Sequence, residues 1–219
     1  LFSVLSLQWA KQELARQQAL RHDQEKAQAE DIARGIEFSM LTESKSTYDE
    51  DVDLDRALPN TAMTGGRTRG GENVLVAARK DTSDNDEVFG VTGQKIAITA
   101  SDDVLKRSQV YRAGSSQELT QMAASDSVVV VDTSGVRARQ VTTSIKGLEG
   151  MAEQVYAFYS GNMRFPTAQE YDELRRHFSF HDAWGEPFSY TYINDEQGRL
   201  EFSTPWNYTY SQELTLKDD

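Results

Sequence analysis

The chain has 219 residues, enough for one large domain or two small ones. Lys and Arg number 23 against 35 Asp and Glu, a formal charge of -12, so the surface as a whole repels nucleic-acid phosphate and sequence-independent DNA binding is excluded; Arg67 with Arg69 is the one tempting basic pair. Cysteine is absent, which removes disulfides, thiolate nucleophiles and thiolate-bound zinc or iron–sulfur centres but leaves the redox compartment open.

The first ten residues, LFSVLSLQWA, are apolar and pass without a turn signal into the charged, Gln-rich run Lys11 to Glu37. Spanning a bilayer takes roughly 20 apolar residues, and this stretch is about half that. It reads as the inner end of a membrane-spanning or filament-core helix whose remainder lies upstream. The alternative is a short helix end that packs onto its own domain.

One helix is predicted from Leu1 to about Thr47, rich in Ala, Gln, Glu, Lys and Arg, with no Pro and one Gly. Its far end carries Ala29, Ala33, Ile36 and Met40 at helical spacing, while Gln17 to Gln28 is polar nearly all round. A helix polar on every side bridges space or packs outside its own domain. The first half is therefore expected to project and the second half to pack on the head. Tyr48 to Gly71 follows as an acidic, Gly-rich loop.

In the middle region, Asn73 to Ala78, Lys95 to Thr99 and Ser127 to Asp132 are β-type runs, and Ser101 to Ala124 is ambiguous. The last of the three runs, SVVVVD, is expected to form a hairpin through Thr133-Ser134-Gly135 with Val136 to Val141. A helix is predicted over Ser144 to Ser160, with Ile145, Leu148, Ala152, Val155 and Tyr159 on one face and Gly161-Asn162 as its stop. Thr167 and Glu170 form a capping-box pattern that opens a short helix to Phe178. Phe188 to Ile193 and Arg199 to Ser203 alternate as a second hairpin, over which Trp206, Tyr208 and Tyr210 close.

Catalytic signatures are lacking. Glu173, His177 and His181 have metal-ligand spacing, but the helix is expected to end there, so helix-end histidines are preferred to a zinc site. The loop Gly65 to Gly71 lacks the Gly-Lys-Ser/Thr ending of a phosphate loop. No Gly-x-Ser-x-Gly elbow occurs, and nothing pairs two carboxylates as acid and base, so the expectation is not an enzyme.

Two stretches together resemble the type IV pilin and type II secretion pseudopilin family. The first is the helix from Leu1 to about Glu43. The second runs from Leu148 to Ser203, where AEQVYAFY leads into NMRFPT, then YDEL, then DAWGEPFSY before a hairpin. Its order is similar to the pseudopilin run of a helix ending in Tyr, a Tyr-Pro-Thr turn, a short helix and a Trp-Gly-x-Pro-aromatic turn. Physically, Pro166 fixes φ, Trp184 supplies an apolar plate, Gly185 turns tightly beside it, and Pro187 suits the first residue of a strand.

The resemblance implies an α+β fold with a long N-terminal helix as spine packed on an antiparallel head. The divisions would be 1–47, an enlarged region 48–142, and a pseudopilin-like part 143–219. It also implies a filament subunit, assembling through Leu1, Phe2, Val4, Leu5, Leu7 and Trp9, with Glu13, Arg16 and Arg21 setting neighbour register. Partners would be copies of itself or other pilin-like subunits, inner-membrane assembly machinery and, before assembly, the membrane. Its place would be the bacterial inner membrane and periplasm, then a periplasmic or surface filament. The alternative is a membrane-tethered periplasmic scaffold that does not polymerise. No cofactor is expected: the calcium-loop pattern of major pseudopilins is replaced here by Ser203-Thr204-Pro205-Trp206, and Asp195 and Glu196 read as solvated turn residues.

Overall fold

The computed structural model of the protein describes residues 2–48, 75–86, 88–99 and 128–216. It is α+β: a long N-terminal helix and two three-stranded sheets, with two further helices lying between the sheets in chain order. The chain divides into two compact units. Among the described residues, one holds the first helix to Met40 and the strand segments 75–83, 93–99 and 128–132. The other holds 41–48, 84–92 and everything from Ser134 onward.

Helix α1 spans Phe2–Leu41. Ala29, Ala33, Ile36 and Met40 are all buried, as their spacing predicts. The helix stops six residues short of Thr47, and the last three of these form a separate 3-10 turn, Lys45–Thr47. The reason is local: the Ser44 amide donates to Thr47 Oγ1 at 3.1 Å and the Thr47 amide to the Ser44 carbonyl at 3.1 Å, a bonding pattern that competes with helix continuation.

Strands β1 (Leu75–Asp86), β2 (Val91–Thr99) and β3 (Val128–Asp132) form one sheet in that order. β2 lies in the centre. Ile96, Ala97, Ile98 and Thr99 are consecutive and all buried, so both faces of the strand are covered, which explains a continuous rather than alternating apolar run. β3 pairs antiparallel to it, with Ile96 opposite Val131 and Ile98 opposite Val129.

The expected hairpin after β3 does not form. Helix α2 runs Thr133–Asn162, starting at the residues read as a turn and taking in Val136 to Val141. That segment fits either period, and burial decides between them. Arg137, Gln140, Val141, Ser144, Leu148, Met151, Ala152 and Val155 form one continuous buried helical face. Three consecutive hydroxyls, of Thr142, Thr143 and Ser144, are satisfied by donating back to the carbonyls four residues earlier, at 2.9 to 3.0 Å. At the far end Asn162 is the last helical residue, but the left-handed terminator is Met163 (φ 57), whose amide reaches the Tyr159 carbonyl at 2.7 Å; neither Gly161 nor Asn162 plays that part.

Helix α3, Ala168–His177, opens with the predicted box: Glu170 N–H reaches Thr167 Oγ1 at 3.4 Å, and the Thr167 amide donates to the Glu170 carboxylate at 2.8 Å. Strands β4 (Ser189–Asn194), β5 (Gln197–Ser203) and β6 (Thr209–Thr215) form an antiparallel meander. β6 belongs to the stretch expected only to close over the sheet; it pairs with β5 along its whole length, Ser203 opposite Thr209 through Gln197 opposite Thr215. One face of the meander supplies Leu200, Phe202 and Leu214 to a core shared with Leu148, Val155, Phe165 and Phe188. The alternate positions, among them Arg199, Glu201, Ser211 and Glu213, form a polar outer face.

Candidate functional site

Two features of the chain are candidates for function: the surface of α1 before its buried stretch, and the loop 178–188 that joins α3 to β4. On α1 no side chain from Gln8 to Gln28 is buried, and Trp9 is 69% exposed. Backbone helix extends through Phe2, Val4, Leu5 and Leu7, while Leu1 lies outside the described residues. Of the expected register residues, Arg16 is exposed, Glu13 accepts from Gln17 Nε2 at 3.3 Å, and Arg21 bonds Glu25 one turn on at 3.0 Å. Pairs of this kind stabilise the helix by a few tenths of a kcal/mol each. They lie along a stretch in which no side chain is buried. Among the described residues no helix is long and apolar enough to cross a membrane.

The loop is knotted on one carboxylate. Asp182 Oδ1 accepts the amides of Trp184 and Glu186, both at 2.9 Å. Its backbone adds two more bonds, from its own amide to the Glu186 carbonyl and from the Gly185 amide to its carbonyl. Oδ2 sits 2.6 Å from Lys45 Nζ as an ion pair rather than a directed hydrogen bond, and the Asp182 side chain is 1% exposed. The same ammonium lies 5.9 Å from the centre of the Trp184 ring. Gly185 adopts φ +82, so a side chain there is strained whatever space surrounds it. Trp184 is buried in the core, edge-on to Trp206 at 5.6 Å. Pro187 differs from expectation. It is not the first residue of β4 but makes an isolated bridge with His181, because the loop pairs with itself before the strand begins.

Several residues that hold this loop carried no signal in the sequence. Ser144 Oγ accepts the Ala183 amide at 2.8 Å, tying the loop to α2. Gly147 and Gly150 sit mid-helix where glycine costs about 1 kcal/mol against alanine. A Cβ on Gly147 would meet the His181 carbonyl at 3.0 Å and Phe188 at 3.1 Å, and one on Gly150 would meet Phe180 at 2.7 Å. Their bare backbone lets the loop lie flat on α2. Beside it, Arg137, only 2% exposed, stacks its guanidinium 4.7 Å from the Tyr48 ring, and Tyr48 tilts against Trp206 at 5.7 Å.

The turn around Phe165 and Pro166 is held by a second set of contacts. Phe165 is fully buried, and its amide donates to the Asp195 carbonyl at 2.9 Å. Tyr190 donates to the Pro166 carbonyl and Tyr171 to the Phe188 carbonyl, each at 2.9 Å, with the two rings stacked at 4.6 Å. Burial pushes both phenols up to about 12. Arg164 grips Glu170 with two bonds of 2.6 and 2.7 Å. That grip, with the amide and hydroxyl of Thr167, lowers the Glu170 carboxyl to about 2.

Other sequence candidates are not brought together. α3 ends at His177, His181 lies beyond it at the bridge with Pro187, and Glu173 is exposed. Asp195 accepts the Tyr192 hydroxyl at 2.6 Å, and the Glu196 amide donates to Asn194. Among the described residues no three His, Asp or Glu side chains are grouped as metal ligands. Arg67, Arg69 and the loop Gly65 to Gly71 lie outside the described residues. No family model, curated protein or solved structure matches the chain.

Proposed function

We propose that the chain is a pilin-like subunit of a type IV pilus or type II secretion-like filament. The observation that carries this reading is α1. The helix runs unbroken for 40 residues from Phe2, and among its residues from Gln8 onward the buried ones start at Ala29. An isolated helical stretch that polar is marginal in water, so a helix of this length draws its stability from packing partners. Neighbouring copies supply those partners. Packing apolar side chains such as Trp9 against a neighbour contributes about 25 cal/mol per Å² removed from water.

The second unit supports the same reading from the other end of the chain. Its helix ending near Tyr159, the Phe165-Pro166-Thr167 turn, the short capped helix and the Trp184-Gly185 turn before a hairpin follow the sequence order that resembles the pseudopilin run. The contacts described there are structural, and the proposed role is assembly and display rather than catalysis. The acidic head faces water and offers its surface to other subunits; the helix starts in the inner membrane and ends in the filament core.

The test is the start of the native protein. Mass and N-terminal sequence of precursor and mature forms should show cleavage after a Gly, a Phe start and a Glu a few residues in. An uncleaved start, or an ordinary signal anchor, contradicts the filament reading and favours a tethered scaffold.

A further inference from the structure

Lys45 and Asp182 meet at the short end of the range for charged partners. Nζ lies 2.6 Å from Oδ2, off the direction of a hydrogen bond, and Oδ2 is shut away from water. A C–O bond of about 1.2 Å then places the nitrogen at most about 3.8 Å from the carboxyl carbon Cγ. Reacting atoms poised for attack stand about 3–3.5 Å apart.

The other carboxylate oxygen is held differently. Oδ1 accepts the amides of Trp184 and Glu186, both at 2.9 Å. Two backbone donors converging on one oxygen of a carbonyl group are what stabilises an oxyanion there. So Asp182 presents one oxygen to a pair of amides and the other to an amine. Both partners are fixed in place. Lys45 opens the 3-10 turn Lys45–Thr47, closed by the Thr47 amide on the Ser44 carbonyl at 3.1 Å. On the other side, the Ala183 amide anchors the loop to Ser144 Oγ at 2.8 Å. The Asp182 side chain is 1% exposed, and the buried Trp184 ring, centred 5.9 Å from Nζ, walls the pair. Water that would compete with the amine for Cγ is kept out.

We propose that Lys45 and Asp182 condense into an intramolecular amide, Nζ to Cγ, releasing one water. One proton passes from the ammonium to Oδ2, leaving a neutral amine and a carboxylic acid. The amine lone pair attacks Cγ, and the carbonyl electron pair moves onto Oδ1, between the two amides. A second proton passes from nitrogen to the Oδ2 hydroxyl. The Cγ–Oδ2 bond breaks as the double bond to Oδ1 re-forms, and water leaves. Of the three ammonium protons, two depart in the water and one stays on the amide nitrogen. The opposite charges cancel, and no oxidant or co-reactant is consumed. Fixed placement favours the step, since well-oriented intramolecular groups reach effective molarities of about 10⁵–10⁸ M.

The ion pair is the state before reaction, so the bond accumulates with time after folding. Arg164 and Glu170 approach as closely, at 2.6 Å, but a guanidinium, charged at every working pH, is no nucleophile. The amide is a covalent tie open to a chain without cysteine. It closes the chain between residues 45 and 182 into a loop and so restricts the unfolded state, as a disulfide does.

Intact mass of the full 219-residue protein, freshly purified and after warm incubation at neutral pH, reads the reaction directly. The aged chain should be lighter by one water and run faster on a denaturing gel. Its tryptic digest should contain a branched peptide joining the segments that carry Lys45 and Asp182. Lys45→Arg keeps the charge and lacks the nucleophile, so its mass should stay constant; circular dichroism checks its fold. The branched peptide from the unaltered chain decides the matter by itself if that variant does not fold. An unchanged mass in the aged, folded chain would overturn the proposal. So would a water loss that persists in Lys45→Arg, since that marks an aspartate cyclised on its own backbone.

Discussion

Asp182→Ala is the substitution whose cost can be worked most directly from the structure. It removes the acceptor of two amide bonds at 2.9 Å and leaves Lys45, at 2.6 Å, without its counter-charge. Hydrogen bonds to a charged group contribute about 1.5–3 kcal/mol each. Removing one partner of a buried ion pair costs about 3–5 kcal/mol. Lys45 is 28% exposed and can rehydrate, and the loop can relax, so the lower part of that range applies: about 3–4 kcal/mol in all. Asp182→Asn keeps one acceptor oxygen and should cost about half as much. Lys45→Ala should cost less still, because the carboxylate keeps its two amides. Urea unfolding of the four proteins at neutral pH, with a double-mutant cycle for the pair, measures each value. A loss below about 1 kcal/mol in Asp182→Ala would refute the argument that this carboxylate organises the loop.

Gly147→Ala sets a helix gain of about 1 kcal/mol against overpacking of about 1–3 kcal/mol on the His181 carbonyl and Phe188, so unfolding should show net destabilisation; a more stable variant would mean the loop yields easily. Glu170, held at about 2, is more acidic folded than unfolded; it binds fewer protons in the native state, and its contribution is present above the ordinary carboxylate range and lost as pH falls from about 4.5 towards 2. Glu170→Gln should flatten the acid limb of a stability–pH curve in that window. The buried phenols act at the other end: Tyr171 and Tyr190 stay protonated in the fold up to about 12, whereas the unfolded chain releases those protons near 10, so stability should fall as pH rises through that interval. Absorbance of ionised tyrosine should rise together with loss of the fold there, and Tyr171→Phe should reduce the effect.

What the sequence made legible follows from how local each signal is. The Ala29–Met40 stripe, the Thr167–Glu170 box and the β4–β5 hairpin each rest on spacing within a few residues, and each forms as expected. Val136 to Val141 misled because its apolar positions suit a strand as well as a helix; the deciding fact is burial of Arg137, Gln140 and Ser144, polar residues that no hydropathy pattern marks as core. β6 carries little strand signal because Thr209–Thr215 is polar on one face and contributes only Leu214 as a buried residue. The knot on Asp182 joins residues 45, 144 and 182, and long-range contacts of that kind leave no trace in a single sequence. The exposure of Trp9, by contrast, follows from the polar helix on its C-terminal side, since that stretch has no apolar face with which to hold it in a core.

The most direct test is electron microscopy of the full-length protein, alongside a Trp9→Arg variant. Long fibres from the native protein and their loss from the variant, with head folding unchanged, are the expected pair of results. Single dispersed heads from both, at every concentration, would contradict assembly through α1.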